Sequence, residues 1–317
     1  MHSLTLTKRK DGYSLEIGKA KGFLFSPALP LASSVKEGIG RVSRKLSSLG
    51  YSDFAGRELF DVATYTLKKP GKMLRPALVI LGARLLGEST ADYVDLAAAA
   101  ELLHTASLVH DDVIDGDTVR RGVPTTHARY GSAAALLSGD ALIAKAVSIA
   151  SGYGPKVVKT VADASLDMCA GELLDYTAQK RRMPMGVRQY LRMARLKNGV
   201  FMGTCAAVAA VHKRSRKAGR LYRFGLSLGV AFQIRDDVLE LVDSEEASRN
   251  GGRANATDAS NIVKTFERQF GIGRKSALEK AADLNNYFAE RALEFIREEE
   301  AKDELARYVD FVRIRKA

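Results

Sequence analysis

The sequence predicts an all-α fold made of one continuous domain. All seven prolines lie at or before Pro184, so the chain from residue 185 to residue 317 lacks the residue that most strongly breaks helices. That stretch is rich in Ala, Leu, Arg, Lys and Glu, which favour helices. Apolar residues recur at helical spacing, and neither a change in composition nor a strict repeat divides the chain.

Size and charge narrow the class of protein. With 317 residues and 46% hydrophobic content, the chain can bury a sizeable core. Its net charge of +12 suggests an anionic partner. Nucleic acid is not expected to be that partner, because no groove-reading motif, aromatic stacking platform or zinc-ligand spacing accompanies the basic residues. An anionic small substrate explains the charge at least as well.

Targeting signals and cysteines point to the cytoplasm. The N-terminus lacks an apolar core of signal-peptide length, and no run of about 18 apolar residues predicts a membrane span. Cys169 and Cys205 lie in helical stretches without metal-ligand spacing, so we expect both to be buried in a protein of a reducing compartment. The sequence therefore predicts a cytoplasmic protein without a membrane span.

Two acidic clusters are the strongest functional signal, and helical spacing places the first and fifth positions of each on one helix face. The first acidic cluster is Asp111, Asp112 and Asp115, and the second acidic cluster is Asp236, Asp237 and Glu240. Such a motif is most often a solvated acidic face, but the apolar neighbours here would make unpaired carboxylates costly. Mg²⁺ is usually held by one or two carboxylates plus substrate phosphates, so two facing clusters predict a bound diphosphate.

Cationic residues stand where a diphosphate could use them. Lys72 and Arg75 follow Gly71 about one helical turn apart, just before Pro76. This suits an anion site, although an ordinary helix start with exposed charges is equally compatible. His104 shares a helix face with the first acidic cluster, so we favour a functional role over that of a satisfied core histidine.

Arg120 and Arg121 follow the first acidic cluster closely. Their planar guanidinium groups could bind two different phosphates, although the pair could instead merely neutralise the acids. Gly122 and Pro124 come next and are expected to end the helix and to hold both arginines in a turn. Such a turn favours a defined role for the pair.

Taken together, these motifs resemble those of the trans-isoprenyl diphosphate synthases in the polyprenyl synthetase family. The similarity covers roughly residues 40 to 317 and rests on GKMLRP, ELLHTASLVHDDVID, RRGVPTTH, SGDAL, GELLD, the Lys197 segment and FQIRDDVLE, in the family's order. It implies the isoprenoid synthase fold, a single-domain bundle of about ten or more helices around a central cavity. We therefore predict a synthase domain over residues 36–317, preceded by a segment of unknown role, residues 1–35.

The resemblance implies a prenyltransferase of the geranylgeranyl or longer-chain type. Such enzymes ionise an allylic diphosphate and join it to isopentenyl diphosphate, which gives an all-trans polyprenyl diphosphate. About three Mg²⁺ ions per active site draw off the leaving diphosphate, which then serves as the base for the final proton. Family members are usually homodimers, so a homodimer is expected here.

The same resemblance assigns roles to individual residues. Two of the ions would be bound by Asp111 and Asp115 and the third by Asp236, with support from Asp112, Asp237 and Glu240. The residues expected to contact the allylic diphosphate are Arg120, Lys197 and Lys264. Those expected near the carbocation are Asn198 and Gln233. Those expected to bind isopentenyl diphosphate are Gly71, Lys72, Arg75, His104 and Arg121.

Small residues beneath the first acidic cluster imply a long product. In the family the growing chain runs beside this helix, past the fourth and fifth residues before the first aspartate, which are Ser107 and Ala106 here. Neither would block the cavity as a bulky aromatic would, so the resemblance implies a product of C20 or longer. Leu102 and Leu103, one turn earlier, are the next candidate floor, or simply pack within the bundle.

Three departures from the family pattern motivate other hypotheses. Glu240 replaces the usual Asp, Asn198 replaces the common Thr, and the segment 251–264 only loosely resembles the family's Gly- and Lys-rich loop. One alternative is therefore a catalytically weak regulatory subunit of a heteromeric prenyl synthase. A class I terpene cyclase is disfavoured, because the chain has no Trp and only 7% aromatic residues to steer a cation.

Overall fold

The computed structural model describes residues 4–9, 12–17, 33–69, 71–249, 259–297 and 302–314, and most of these are helical. In chain order the helices are α1 Ser33–Ser47, α2 Arg57–Ala63, α3 Leu74–Arg84, α4 Val94–Asp115, α5 Thr126–Tyr130, α6 Ser132–Ser151, α7 Pro155–Lys180, α8 Val187–Ala194, α9 Val200–His212, α10 Ala218–Arg249, α11 Ile262–Phe270, α12 Arg274–Ile296 and α13 Lys302–Ile314. The predicted all-α fold is confirmed.

Strands are few and short. In the N-terminal segment, β1 Leu4–Arg9 pairs with β2 Gly12–Ile17 in an antiparallel hairpin that places Leu4 opposite Ile17. The sequence prediction assigned no structure to this segment. A second, smaller hairpin consists of β3 Val119–Arg120 and β4 Val123–Pro124.

The chain divides into two compact units. The Asp111 unit comprises Leu31–Leu166 and Thr204–Tyr222, and the Asp236 unit comprises Met1–Pro30, Asp167–Gly203 and Arg223–Ala317. The first boundary precedes α1, and the other three fall within α7, α9 and α10. Each unit carries one acidic cluster and is described by itself. A single domain over residues 36–317 stays a prediction.

The core of the Asp111 unit is built around α3 and α4. Residues 74–83 of α3 are all buried, which accounts for the nearly unbroken apolar sequence of that helix. Gly82 lacks a side chain where a Cβ would overlap the backbone oxygen of Ala206. Residues 97–100 of α4 are buried alanines, which allow neighbouring helices to approach closely. This packing holds the helix that carries the first acidic cluster.

The core of the Asp236 unit brings α10 against α8, α11 and the backbone that precedes α9. Its buried apolar side chains include Tyr190, Met193, Ile234, Val238, Ile262 and Phe266. Gly229 of α10 is essential to this packing, because a Cβ there would lie 2.7 Å from the backbone oxygen of Asn198. The close approach places the next turn of α10, with Gln233, beside Asn198.

Two surface features differ from the sequence predictions. Cys205 is buried as expected, but Cys169 is exposed, so that expectation was wrong. Cys169 shares an exposed stripe of α7 with Leu173 and Tyr176, at the helical spacing of residues that face solvent. Among the described residues, α6 has the length and mean hydropathy, 1.5, of a helix that could cross a membrane. Its Lys145 nevertheless forms an ion pair of 2.6 Å with Asp53, as in a helix that packs against protein.

Candidate active site

The first acidic cluster occupies the C-terminal end of α4. Asp111 is half-buried, Asp112 is buried and Asp115 is exposed. The helix ends after Asp115 because Gly116 adopts the left-handed conformation, with a φ of 73°. The expectation that Gly122 and Pro124 end this helix was therefore wrong.

The two arginines lie in the hairpin of β3 and β4. Arg120 ends β3, and Arg121 with Gly122 forms a two-residue turn in which both φ angles are positive, 52° and 75°. A turn was predicted for both arginines, and the structure shows it for Arg121, whereas Arg120 lies in β3. Such a turn separates the two side chains, because one belongs to a strand and the other to the loop. Their hydrogen-bond partners differ accordingly.

Asp112 holds Arg120. The Nε atom of Arg120 donates to Oδ1 of Asp112 at 2.5 Å, and the Asp112 side chain is 3% exposed. Burial raises the pKa of Asp112, while the charge and the hydrogen bond of Arg120 oppose the rise. The exposed carboxylate of Asp117 is more distant, at 3.8 Å from Arg120. A supporting metal role for Asp112 stays a prediction, and its observed partner is the arginine.

Arg75 and His104 lie side by side. Nη1 of Arg75 is 3.0 Å from Nε2 of His104. Because a guanidinium can only donate, Nε2 must accept, and the imidazole carries its proton on Nδ1. Burial, followed by the charges of Arg75, Arg121 and Arg120, lowers the pKa of His104 well below its usual range. His104 is therefore a neutral acceptor that orients Arg75.

Gly71 and Glu101 lie beside the same basic residues. A Cβ at position 71 would lie only 2.5 Å from Nη2 of Arg121, so glycine leaves room for that guanidinium. Nη1 of Arg121 donates to the backbone oxygen of Lys69 at 2.6 Å. Burial raises the pKa of Glu101, and the charges of Arg75 and Arg121 oppose the rise. The Asp111 unit thus brings Gly71, Arg75, His104 and Arg121 together, as predicted, while Lys72 is exposed just before α3.

A cavity of about 310 Å³ opens beside the arginine pair. Its cationic lining is Lys68, Lys69, Arg120, Arg121 and Arg129. Arg129 stacks over the ring of Tyr65, 4.9 Å from its centroid. The sequence prediction missed Lys68, Lys69 and Arg129, although two adjacent lysines just before GKMLRP were a visible signal. The cavity offers a cationic environment for an anionic group.

Lys197 lies in the Asp236 unit, in a π-helical segment, residues Arg195–Gly199. Its Nζ is 2.6 Å from Oδ2 of Asp175 and 2.8 Å from Oε2 of Glu172. Burial alone would raise the pKa of Asp175, but Lys197 and the neighbouring hydrogen bonds outweigh it and lower that pKa. Gly171 permits the approach of α7, because a Cβ there would overlap the backbone nitrogen of Lys197. The GELLD motif was the available signal for these two acidic partners.

Asn198 and Gln233 form the next contact along the Asp236 unit. Nδ2 of Asn198 donates to Oε1 of Gln233 at 2.5 Å, and Nε2 of Gln233 donates to Oδ1 of Asp237 at 2.7 Å. Burial raises the pKa of Asp237 to about 7, against the lowering effect of its hydrogen bonds. Like Asp112, Asp237 is the buried middle residue of its cluster, and its role as a supporting metal ligand stays a prediction.

The outer positions of the second acidic cluster are more accessible. Asp236 is half-buried and Glu240 is exposed on α10. Lys264 is half-buried on α11, with its Nζ 3.9 Å from Oε2 of Glu267. Most of the irregular segment 251–264, namely residues 251–258, lies outside the described residues. The diphosphate role of Lys264 stays a prediction.

The candidate chain-length residues all lie on α4. Leu102, Leu103 and Ala106 are buried, and Ser107 is half-buried. The Ser107 hydroxyl donates to the backbone oxygen of His104 at 2.9 Å. The small side chains at 106 and 107 therefore lie within one turn of the basic group formed by Arg75 and His104.

The donors present suit a hard cation. The accessible side chains of both clusters offer carboxylate oxygens, the ligands that Mg²⁺ prefers. Within the described ranges, no three His, Cys, Asp or Glu side chains converge into a preformed metal site. Mg²⁺ sites use few protein carboxylates and take their remaining ligands from water and substrate phosphates.

Comparison with known proteins agrees with these features. The family model described as polyprenyl synthetase matches residues 57–298. A geranylgeranyl pyrophosphate synthase of Geoglobus acetivorans is 33% identical over 255 residues, which cover 76% of this chain and 80% of the relative. Component 2 of a heptaprenyl diphosphate synthase of Geobacillus stearothermophilus is 32% identical, covering 68% of this chain and 67% of the relative.

A solved structure extends the comparison to the fold. The polyprenyl synthase of Caulobacter crescentus, determined with calcium and isoprenyl diphosphate, is similar with a TM-score of 0.76 and 26% identity. The match covers 90% of this chain and 96% of that one. Motifs, helical architecture and these similarities agree, and the chain belongs to the polyprenyl synthetase family.

Proposed function

We propose that this chain is a Mg²⁺-dependent prenyltransferase that condenses isopentenyl diphosphate with an allylic diphosphate to give an all-trans polyprenyl diphosphate of C20 or longer. The observation that carries the proposal is the convergence of Gly71, Arg75, His104 and Arg121 in the Asp111 unit. A condensation of two diphosphates needs cationic groups for the second one, whereas a cyclase binds a single diphosphate.

The difficult step is cleavage of the carbon–oxygen bond of the allylic diphosphate, because it separates charge in apolar surroundings. Enzymes of this family are generally Mg²⁺-dependent, and bound Mg²⁺ would supply Lewis-acid neutralisation of the leaving group. In this proposal about three ions are held by Asp111, Asp115 and Asp236. Exposed Glu240 would support them as a further carboxylate donor.

Residues of the chain bind and orient the two diphosphates. Arg120, held by Asp112, contacts the allylic diphosphate. Lys197 contacts the same diphosphate after exchanging its bonds to Glu172 and Asp175 for bonds to phosphate oxygens. Lys264 is the third proposed contact.

Isopentenyl diphosphate is bound by Lys72, Arg75 and Arg121, with neutral His104 keeping the guanidinium of Arg75 in orientation. The amides of Asn198 and Gln233 lie near the carbocation in this proposal. The released diphosphate accepts the final proton, so no side chain needs to act as the base.

The product length follows from the small residues of α4. With Ala106 and Ser107 beneath the first acidic cluster, the chain grows past them toward Leu102 and Leu103. We expect Ala106→Phe to shorten the product, because an aromatic ring would fill the space that the tail occupies. Chromatography of the dephosphorylated products reads this directly.

We also propose that the chain acts as a cytoplasmic homodimer. The apolar helix α6 leaves Leu136 45% exposed and Leu137 63% exposed, which suits contact with a second copy. Leu137→Lys should shift the mass measured by light scattering toward that of the monomer. An unchanged mass would show that α6 is not part of the dimer interface.

The alternative is a weakly active subunit that needs a partner chain. The relative named component 2 of a heptaprenyl diphosphate synthase favours keeping this alternative. The complete acidic clusters and the intact arginine pair favour an active chain, because a purely regulatory subunit would not need them. The two hypotheses differ in whether the purified chain alone turns over.

The test is incubation of the purified chain with radiolabelled isopentenyl diphosphate, Mg²⁺ and, separately, dimethylallyl, geranyl or farnesyl diphosphate. We expect products of C20 or longer that disappear with EDTA and with Asp111→Ala. The matched control is Asp163→Asn, which changes an exposed carboxylate paired with Lys159 and should leave turnover unchanged. Absence of incorporation with every primer would support the subunit alternative instead.

A further inference from the structure

A buried polar junction leads into α11. Ser260 is 5% exposed, Asn261 is 2% exposed and Ile262 is fully buried. Buried polar groups need hydrogen-bond partners, because an unpaired one costs free energy. We define the junction by the segment 260–262 together with Asp237, Gln233 and Asn198. All of these residues belong to the Asp236 unit.

Asp237 is joined to this segment at two points and to Gln233 at a third. Its Oδ2 accepts from the backbone nitrogen of Ile262 at 2.9 Å, and its Oδ1 accepts from Gln233. Its backbone oxygen accepts from Nδ2 of Asn261 at 2.9 Å. Both carboxylate oxygens are therefore used by neutral protein donors.

Asn261 satisfies the next backbone groups of α11. Its Oδ1 accepts from the nitrogens of Val263 and Lys264, at 2.9 and 3.3 Å, and its backbone oxygen accepts from Thr265. The first four amides of a helix have no partner within the helix. Here Asp237 accepts from Ile262, and the side chain of Asn261 accepts from Val263 and Lys264, whereas the bond from Thr265 to the backbone oxygen of Asn261 is the first bond of the helix itself. Two side chains thus satisfy the amides of the first three residues of α11.

The same junction reaches the segment that contains Lys197. Oδ1 of Asp237 accepts from Nε2 of Gln233, which turns the oxygen of the Gln233 amide toward Asn198. Asn198 follows Lys197 directly in the chain. The orientation of the Gln233 amide is therefore set from the Asp237 side, and it in turn holds the side chain of Asn198.

A second series of contacts connects Lys197 with the junction. Lys197 pairs with Asp175, which accepts from Nε2 of Gln179 at 2.7 Å. The same nitrogen lies 3.4 Å from Oγ of Ser260, the residue before Asn261. The contacts close a ring from Lys197 through Asp175 and Ser260 to Asp237, and back through Gln233 and Asn198.

We propose that Asp237 and Asn261 are positioning residues that fasten the start of α11 to α10 and fix the amide of Gln233. The catalytic consequence rests on the proposed function: the junction sets Lys264, Gln233 and Asn198 for the reaction. In this proposal Asp237 contributes to the reaction by positioning α11, whereas Asp236 contributes by binding Mg²⁺.

Hydrogen–deuterium exchange of the full chain tests the junction without requiring activity. We expect Asp237→Asn and Asn261→Ala each to speed amide exchange in residues 259–270 about five- to tenfold, as loss of a cap or a buried hydrogen bond predicts. Asp236→Asn is the matched control, since it removes the same charge one residue earlier. It should leave exchange in residues 259–270 unchanged.

Two further variants guard against simple misfolding. Asn261→Ser keeps an oxygen that can cap α11 but loses the amide nitrogen that donates to Asp237, so it should recover most of the protection. The double variant Asp237→Asn/Asn261→Ala should show less than the product of the two single effects, because both residues hold the same helix start. A full product of the single effects would overturn the coupling.

Turnover separates positioning from metal binding. Asp237→Asn should lower kcat about threefold to tenfold with an unchanged Mg²⁺ half-saturation, whereas Asp236→Asn should raise the Mg²⁺ requirement. Unchanged exchange in Asp237→Asn, or a Mg²⁺ requirement that rises as in Asp236→Asn, would overturn the proposal. If the variants show the predicted differences in exchange but the wild-type chain does not turn over, the proposed function fails while the junction stands.

Discussion

The middle aspartates of the two acidic clusters are both buried but have different partners. Asp112 is bound by the guanidinium of Arg120, whereas Asp237 is bound by the backbone nitrogen of Ile262 and the amide of Gln233. Burial raises the pKa of both, and for Asp237 to about 7. A carboxylate beside a cation orients that cation. A carboxylate among neutral donors instead fixes backbone and amide groups.

The comparison separates outer from middle positions in a motif that looks uniform in sequence. Asp111, Asp115, Asp236 and Glu240 are exposed or half-buried, so they can meet a metal ion carried by substrate. Oδ1 of Asp112 and both carboxylate oxygens of Asp237 accept hydrogen bonds from protein groups. We therefore propose, in place of the supporting metal roles that the resemblance implies for Asp112 and Asp237, that metal binding and positioning divide according to burial within each cluster.

The largest expected effect comes from the outer positions. Asp111→Asn and Asp236→Asn should each lower kcat about 100-fold or more, because each removes a proposed ligand of the metal ions that would stabilise the leaving group. Initial rates measured over a range of Mg²⁺ concentrations should also show a raised Mg²⁺ requirement. Near wild-type turnover at every Mg²⁺ concentration would contradict the proposed metal binding by these outer positions.

A smaller effect is expected at the middle position of the first cluster. Asp112→Asn should lower kcat/KM for the allylic diphosphate about tenfold, because Arg120 loses its charged partner, and should leave the Mg²⁺ half-saturation unchanged. Asp117→Asn is the control, since it removes the more distant carboxylate near the same arginine. Equal losses in the two variants would show that general charge near Arg120, rather than the buried pair, matters.

Asp175 in the Asp236 unit is paired with a cation, Lys197, as Asp112 is paired with Arg120. Asp175→Asn should lower the free energy of unfolding by about 1 kcal/mol, and Glu172→Gln by less, since Glu172 is the more exposed partner of Lys197. Urea denaturation followed by circular dichroism measures both values. A larger loss for Glu172→Gln would contradict this order.

The same residue predicts a pH dependence of stability. The pKa of Asp175 is lowered in the folded chain, so its stabilisation is present above its unfolded pKa of about 3.9 and is lost as pH falls toward the folded value. The unfolding free energy of the wild-type chain should therefore fall more steeply than that of Asp175→Asn on acidification below about pH 4. Parallel curves would refute the pairing of Asp175 with Lys197.

Local features of the site could be predicted from sequence. Helical spacing placed His104 and Asp111 on α4, and the Gly71–Arg75 motif indicated the helix start at which Arg75 lies. The hairpin of Arg120 and Arg121 was predicted only as a turn. Its two-residue loop follows from strand pairing, which the short apolar pattern around Val119 did not reveal.

Distant contacts could not be predicted. Ile262 meets Asp237 across an intervening stretch of unusual sequence, and no local pattern indicates which carboxylate will accept from a given amide. Exposure of Cys169 was missed because composition alone does not say which stripe of a helix faces solvent. In the N-terminal segment, alternation of Leu4, Leu6 and the intervening threonines was a usable strand signal.

The most direct measurement is calorimetric titration of Mg²⁺ in the presence of inorganic diphosphate for the wild-type chain and four matched variants, Asp111→Asn, Asp112→Asn, Asp236→Asn and Asp237→Asn. The proposed roles predict Mg²⁺ binding weakened about tenfold or more in Asp111→Asn and Asp236→Asn, and near wild-type binding in Asp112→Asn and Asp237→Asn. Equal weakening in all four variants would contradict the division between outer ligands and middle positioning residues.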